Sequence, residues 1–208
     1  MTTKLALYNQ ALLEIGERRL TGLTEARPPR YALDEVYDPA LAFALEQGLW
    51  NFGIRSQELT YSASVTPAFG YTYAFEKPSD LVRLSMLTSD ESQTSGVEDF
   101  SDEAGYWFAN IDTMYTSYVS DNASYGMDLA RWPATFERYV VLLLASRICD
   151  PETASGTKLE RIEQKMKRAL LDARSKDAMA GSNRYNDKSR WLRARNSGSR
   201  LGGTGRGL

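Results

Sequence analysis

Carboxylates that adjoin in sequence are the first place to look for chemistry in this chain. Asp34/Glu35, Glu98/Asp99 and Asp102/Glu103 each set two acids side by side, the least that acid–base catalysis or a divalent cation asks of a protein. With 27 acidic residues among 208, such neighbours arise by chance, and spacing alone singles out none of the three. The complete absence of histidine removes Ser-His-Asp and Cys-His nucleophilic catalysis, imidazole acid–base work and most zinc sites at once. Cys149, the only cysteine, excludes an intrachain disulfide, and among apolar neighbours it reads as a small buried hydrophobe. Gly202-Gly203-Thr204-Gly205 has the glycines of a phosphate loop but neither follows a strand nor opens a helix. The expectation is a protein that is not an enzyme, with no cofactor and no metal.

Binding chemistry is better represented. Tyr71, Tyr73, Tyr106, Trp107, Tyr115 and Tyr118 could stack on sugars or bases, although such residues more often form the core and cross-strand pairs of a small sheet. Residues 182–208 carry Arg184, Lys188, Arg190, Arg193, Arg195, Arg200 and Arg206 against Asp187 alone, a net of +6. Since the whole chain carries −2, the remainder carries −8. An acidic body with a basic tail suggests an interaction arm. Arg190-Trp191-Leu192-Arg193 sets an aromatic anchor among cations, residue types enriched at interface hot spots. The cations of the tail could also meet phosphates in a salt-sensitive way, yet no recognition helix presents a cluster of Arg and Lys to bases.

These groups need elements to hold them, and one stretch organises the rest. Trp132 to Cys149, WPATFERYVVLLLASRIC, opens with a proline suited to the first turn of a helix. From Phe136 onward its apolar residues go almost right round a 3.6-residue helix, which must then be covered on every side. Arg138 and Arg147 bracket a run shorter than the roughly 20 residues of a membrane span, and Asp150-Pro151 is expected to end it. Leu5, Tyr8, Leu12 and Ile15 share one face of a helix over about Thr3–Ile15, stopped by Gly16. The N-terminus is amphipathic, unlike the basic segment and apolar block of a secretory signal. A second helix is expected from about Pro29 to Phe52, continuous but kinked at Pro39, the alternative being two shorter helices that meet at Asp38-Pro39. Between the helices, Gln57–Tyr61, Tyr71–Phe75, Leu81–Leu87, Tyr106–Ala109 and Met114–Val119 read as short strands, with Ser89–Gly96 as an exposed loop tip. Thr157–Ala180 is a strongly amphipathic helix with Leu159, Ile162, Met166, Ala169, Leu170 and Ala173 on its apolar side. The expected fold is α+β: a mainly α-helical bundle (1–54 and 120–181), an inserted small antiparallel β lobe (55–119) and an extended basic C-terminal arm (182–208).

Three stretches, taken together, carry a resemblance. ALLEIGERRLTGLTE (Ala11 to Glu25) runs toward ALEQGLWNF (Ala44 to Phe52). FGYTYAFEKPSDLVRL (Phe69 to Leu84) falls in the β lobe, and YVSDNASYGMDLARWPATFERYVVLLLASRI (Tyr118 to Ile148) leads into the central helix. In order and spacing they resemble the tail tubular protein A type of head-to-tail adaptor of short-tailed bacteriophages and related prophages, over roughly Lys4 to Ala180. The resemblance implies a structural virion protein of the tail or neck, assembled in the host cytoplasm. It implies a homo-oligomeric ring, typically of twelve copies, between the portal protein and the tail tube or nozzle protein. DNA would pass through the central channel without sequence-specific binding, and no membrane is involved. Pro39 departs from that pattern, and beyond Gly181 no stretch matches it.

On this reading the mixed-charge face of the last helix, with Glu160, Arg161, Glu163, Lys167 and Arg168, supplies one side of the subunit contact. Arg190, Trp191, Leu192, Arg193, Arg195 and Arg200 of the tail dock on the portal. Ser89, Asp90, Glu91 and Ser92 face the distal tail component. The alternative is a phage-derived binding module that recognises glycan through the aromatic β lobe or DNA through the basic tail.

Overall fold

The computed structural model describes residues 2–153 and 155–180, with the backbone alone for 150–153. The tail residues 182–208 proposed above as the portal contact lie outside the described residues. Within them the chain is an α+β mix of four helices and two three-stranded antiparallel sheets.

Helix α1 spans Lys4–Ile15. Thr3 caps it by accepting the Ala6 N–H at 3.2 Å. At its other end Gly16 takes the left-handed conformation (φ 82°), a conformation natural to glycine, and returns its N–H to Leu12 and Leu13. Helix α2 spans Pro28–Glu46 and is continuous through Pro39. Pro39 and Glu35 are both exposed, so water can satisfy the Glu35 carbonyl that proline leaves without a donor. The helix ends six residues earlier than its apolar pattern suggests, and a 3-10 turn at Asn51–Gly53 leads into the sheets.

Strand β1 (Ile54–Thr60) pairs with β6 (Thr113–Ser120), which also pairs with β3 (Leu81–Thr88). The second sheet has β5 (Tyr106–Ala109) between β2 (Tyr73–Glu76) and β4 (Phe100–Glu103). The sequence reading missed β4. Its residues are FSDE, half-buried or exposed throughout, so neither apolar alternation nor a β-branched run marks it. It forms by pairing with β5 across the two-residue Ala104-Gly105 turn, where Gly105 has φ 95°.

Helix α3 spans Ala134–Thr153 and α4 spans Gly156–Ala180. Asp150-Pro151 does not end α3, which continues one further turn. Phe136, Tyr139, Val140, Val141, Leu142, Leu143, Leu144, Ala145, Ile148 and Cys149 are all buried, as an all-round apolar helix requires. α3 packs against α1, α2 and α4. The helices share one apolar cluster with Leu20, Trp50, Val119 and Trp132. A second cluster lies between the sheets, built on Leu59, Phe75, Leu87, Trp107, Ala109 and Met114. Strand β6 reaches both, through Val119 and Met114. No helix among the described residues is long and apolar enough to cross a membrane.

Candidate functional site

Three segments distant in sequence, residues 44–52, Asp80 just ahead of β3, and residues 118–136, meet where α2 ends and the sheets begin. After Glu46 the chain folds back so that the Trp50 indole N–H donates to the Ala44 carbonyl at 3.0 Å. The next α2 carbonyls find partners far along the chain. The Arg83 guanidinium donates to Glu46 at 2.9 Å and that of Arg174 to Gln47 at 2.7 Å. Both satisfy orphan acceptors and place positive charge at the negative end of the helix dipole.

Trp50 meets Phe136 edge-on, ring centres 4.8 Å apart. Phe136 in turn meets Trp132 at 4.9 Å and Phe52 at 4.7 Å. The Trp132 indole N–H donates to the Gly126 carbonyl at 2.8 Å. Gly126 has no room for a side chain, since a Cβ there would lie 2.2 Å from the Ser120 carbonyl oxygen. Next to it, the Asp80 carboxylate accepts from Arg55 at 2.7 Å, from Tyr118 at 2.9 Å and from Ser120 at 2.5 Å. One side chain just ahead of β3 thus ties β1 and β6. Burial works against ionisation of Asp80, but the Ser120, Arg55 and Tyr118 hydrogen bonds outweigh it and hold the carboxyl below its ordinary value.

Two recesses lie along α4, one of them at this joint. The larger, about 490 Å3, is lined by Leu49, Trp50, Asn51, Arg83, Arg174 and Asp177 among others. In it the Asn51 N–H and side-chain amide donate to the Asp177 carboxylate at 3.0 Å each. Burial pushes the Asp177 carboxyl up, against the pull of the Asn51 N–H. The smaller recess, about 170 Å3, lies at the end of α1 between Glu14, Gly16, Lys158, Arg161 and Lys165. There Lys158 donates to the Ile15 carbonyl at 3.2 Å and Lys165 pairs with Glu14 at 2.7 Å. Helix α4 therefore lies across the C-terminal ends of both α1 and α2 and supplies a cation to each.

No protein-family model matches the chain, and no curated protein matches its sequence.

The acidic pairs do not converge. Asp34 accepts from Tyr8 at 2.8 Å and Arg30 at 2.7 Å, whereas Glu35 is exposed. Asp99 accepts from the Tyr71 hydroxyl at 3.0 Å. Asp102 pairs with Lys77 and takes the Trp107 indole N–H at 3.1 Å, while Glu103 is exposed and accepts from Ser101. Among the described residues no three metal-ligating side chains come together. The aromatic set is divided too. Trp107 and Tyr118 are buried and offer no free face, while Tyr71, Tyr73, Tyr106 and Tyr115 are half-buried, Tyr73 against Tyr61 and Tyr106 stacked on Phe108.

Of the residues expected at a subunit contact, Glu160, Arg161, Lys167 and Arg168 are exposed and Glu163 half-buried. The Ser89–Gly96 loop stands out from β3, with Ser89, Glu91 and Ser92 exposed. It is tightly organised: Asp90 accepts the Thr94 hydroxyl at 2.6 Å, the Ser92 hydroxyl at 2.7 Å and the Ser95 N–H at 2.6 Å. Those bonds, the Thr94 hydroxyl first, hold the Asp90 carboxyl well below the usual carboxylate range. Sequence reasoning missed Arg83, Lys158, Arg174 and Asp177. Each acts on a backbone group that local pattern does not connect to it.

Proposed function

We propose that this protein is a head-to-tail adaptor, one stave of a homo-oligomeric ring between a portal and a tail tube or nozzle. The observation that carries this reading is spatial. ALEQGLWNF, EKPSDLVRL and SYGMDLARWPATF, distant in sequence, supply Trp50, Phe52, Asp80, Gly126, Trp132 and Phe136 to one joint between helices and sheets. The likeness to the adaptor family thus rests on residues that fix the angle between two parts of the molecule. A stave needs such a fixed angle, because a ring closes only if every subunit repeats the same rotation.

In this reading α1–α4 form a helical bundle, the sheets a second contact layer, and the acidic body keeps passing DNA from adhering. The mixed-charge face of α4 takes the neighbouring subunit, residues 182–208 take the portal, and Ser89–Ser92 face the distal tail component. Virion localisation follows from this assignment.

Electron microscopy of the full chain, with and without a portal protein, tests the proposal. Rings are expected at least on the portal, and a chain that remains monomeric in both cases refutes it. Deleting residues 182–208 should abolish portal attachment while leaving the thermal unfolding of the body unchanged. Unimpaired attachment would reassign the portal contact.

A further inference from the structure

Charge is segregated along this chain. Residues 55–119 carry Arg55, Lys77 and Arg83 against ten acids, a net of −7. Helix α4, residues 156–180, carries seven cations against four acids, a net of +3. On α4 the cations are further sorted. Lys158, Arg161, Lys165 and Arg168 recur at intervals of three, four and three, one ridge of a helix. All four are exposed, although Lys158 and Lys165 also reach the end of α1, at the Ile15 carbonyl and Glu14, and Leu171 beside them is 65% exposed.

The second sheet has a face to match. By strand register, Glu76 lies opposite Tyr106, Ala74 opposite Phe108, and Glu103 opposite Tyr106 from the other side. Side chains alternate across a strand, so Glu76, Glu103, Tyr106 and Phe108 share the face turned away from Phe75 and Trp107. Tyr106 and Phe108 belong to neither apolar cluster, and their rings stack with centres 6.4 Å apart and planes 3° from parallel. Glu76 and Glu103 are exposed on either side of them. This is a pair of aromatic faces framed by two carboxylates.

We infer that Arg161 and Arg168 on the α4 ridge of one copy dock on the Glu76–Tyr106–Phe108–Glu103 face of a second copy, and that this is the repeating contact of the ring. The inference rests on the adaptor reading, which gives α4 as one side of the subunit contact, and names the surface that the α4 cations meet. Guanidinium groups suit the face twice over, pairing with the carboxylates and lying over the aromatic rings. Leu171 would be covered at its edge. The two surfaces differ from one another, so the contact is heterologous and propagates from copy to copy.

The test is a charge exchange in the full chain, read by light scattering and electron microscopy. Arg161→Glu/Arg168→Glu and, separately, Glu76→Lys/Glu103→Lys should each lower the assembled fraction at least tenfold. Thermal unfolding should hold steady, since all four side chains are exposed. The fourfold variant should regain assembly, and so should an equimolar mixture of the two double variants, in which every contact again joins opposite charges. Wild-type-like assembly of either double variant, or failure of both restorations, overturns this pairing and leaves the ring intact. Loss of DNA retention with assembly unchanged also overturns it and makes the ridge a phosphate-binding surface. A wild-type chain that never assembles, even on portal rings, removes the adaptor reading itself.

Discussion

Helices α3 and α4 follow one another in the chain and are of similar length, 20 and 25 residues, yet they do opposite work. From Phe136 to Cys149 only Glu137, Arg138, Ser146 and Arg147 of α3 escape full burial. On α4 only Ile162, Ala169 and Ala173 are buried, with Leu159, Met166 and Leu170 half-covered, while Leu171 and Met179 stand exposed. One helix is spent on cohesion and the other on surface. Substitutions in α3 should therefore be read as stability, and substitutions on the outer side of α4 as association.

The largest expected effect is in α3. Leu144→Ala, at a fully buried position, should cost about 3–4 kcal/mol, the transfer term plus the cavity it leaves. At this chain length that lowers the melting temperature by roughly 6–15 °C. A loss under about 1 kcal/mol in calorimetry would mean that α3 is not the cohesive element. Ile162→Ala is the corresponding change on the inner side of α4. It should cost somewhat less, about 2–3 kcal/mol, because one wall of its site is the partly exposed Leu159–Met166 side. If Ile162→Ala proved worse than Leu144→Ala, the contrast would be reversed.

Two carboxylates give the comparison a pH axis. Asp80 is held below its ordinary value, so the folded state binds fewer protons than the unfolded one between the two values. Its contribution is present at neutral pH and is lost as pH falls through the folded value. Asp80→Asn should cost about 1.5–3 kcal/mol at pH 7, the range for hydrogen bonds to a charged group, and should flatten the acid limb of the stability curve.

Asp177 on α4 has the opposite sign. Burial raises its carboxyl, so stability falls as pH rises from the ordinary carboxylate value through the raised one. Asp177→Asn retains an acceptor for the Asn51 N–H and should leave stability at pH 7 equal or higher. Denaturant titrations at pH 4 and pH 7 separate the two cases, and a marked loss for Asp177→Asn at pH 7 would contradict the sign.

The smallest effect expected on folding is that of Arg168→Ala, within about 0.5 kcal/mol for an exposed side chain. The same change should weaken self-association measurably in light scattering. If it did neither, the outer side of α4 would be ordinary solvated surface.

Much of this division is legible in the residues. The run from Tyr139 to Ala145 lacks a polar stripe, and the run from Lys158 to Arg168 has one, so the burial of both helices follows from periodicity. Thr3 and Gly16 mark both ends of α1 within one turn of where they act. The strands are legible where Tyr, Phe, Val and Trp recur, as in β5 and β6, and invisible in β4, whose FSDE is a strand only because β5 lies beside it. The end of α2 was misplaced for a related reason. Leu49, Trp50 and Phe52 continue the apolar count, but Trp50 uses its indole to turn the chain back.

By itself the sequence determined which helix would be enclosed, which would show a charged side, and that no imidazole or intrachain disulfide was available. Those properties depend on residue type and on spacings of three or four. Only the tertiary structure decided what caps α1 and α2. Lys158 meets the Ile15 carbonyl across 143 positions, and Arg174 meets that of Gln47 across 127. It alone also sorted the strands into two sheets and turned Tyr106 and Phe108 outward between Glu76 and Glu103. A carbonyl left over at a helix end takes whichever donor folding brings near it, and no local pattern records which one that will be.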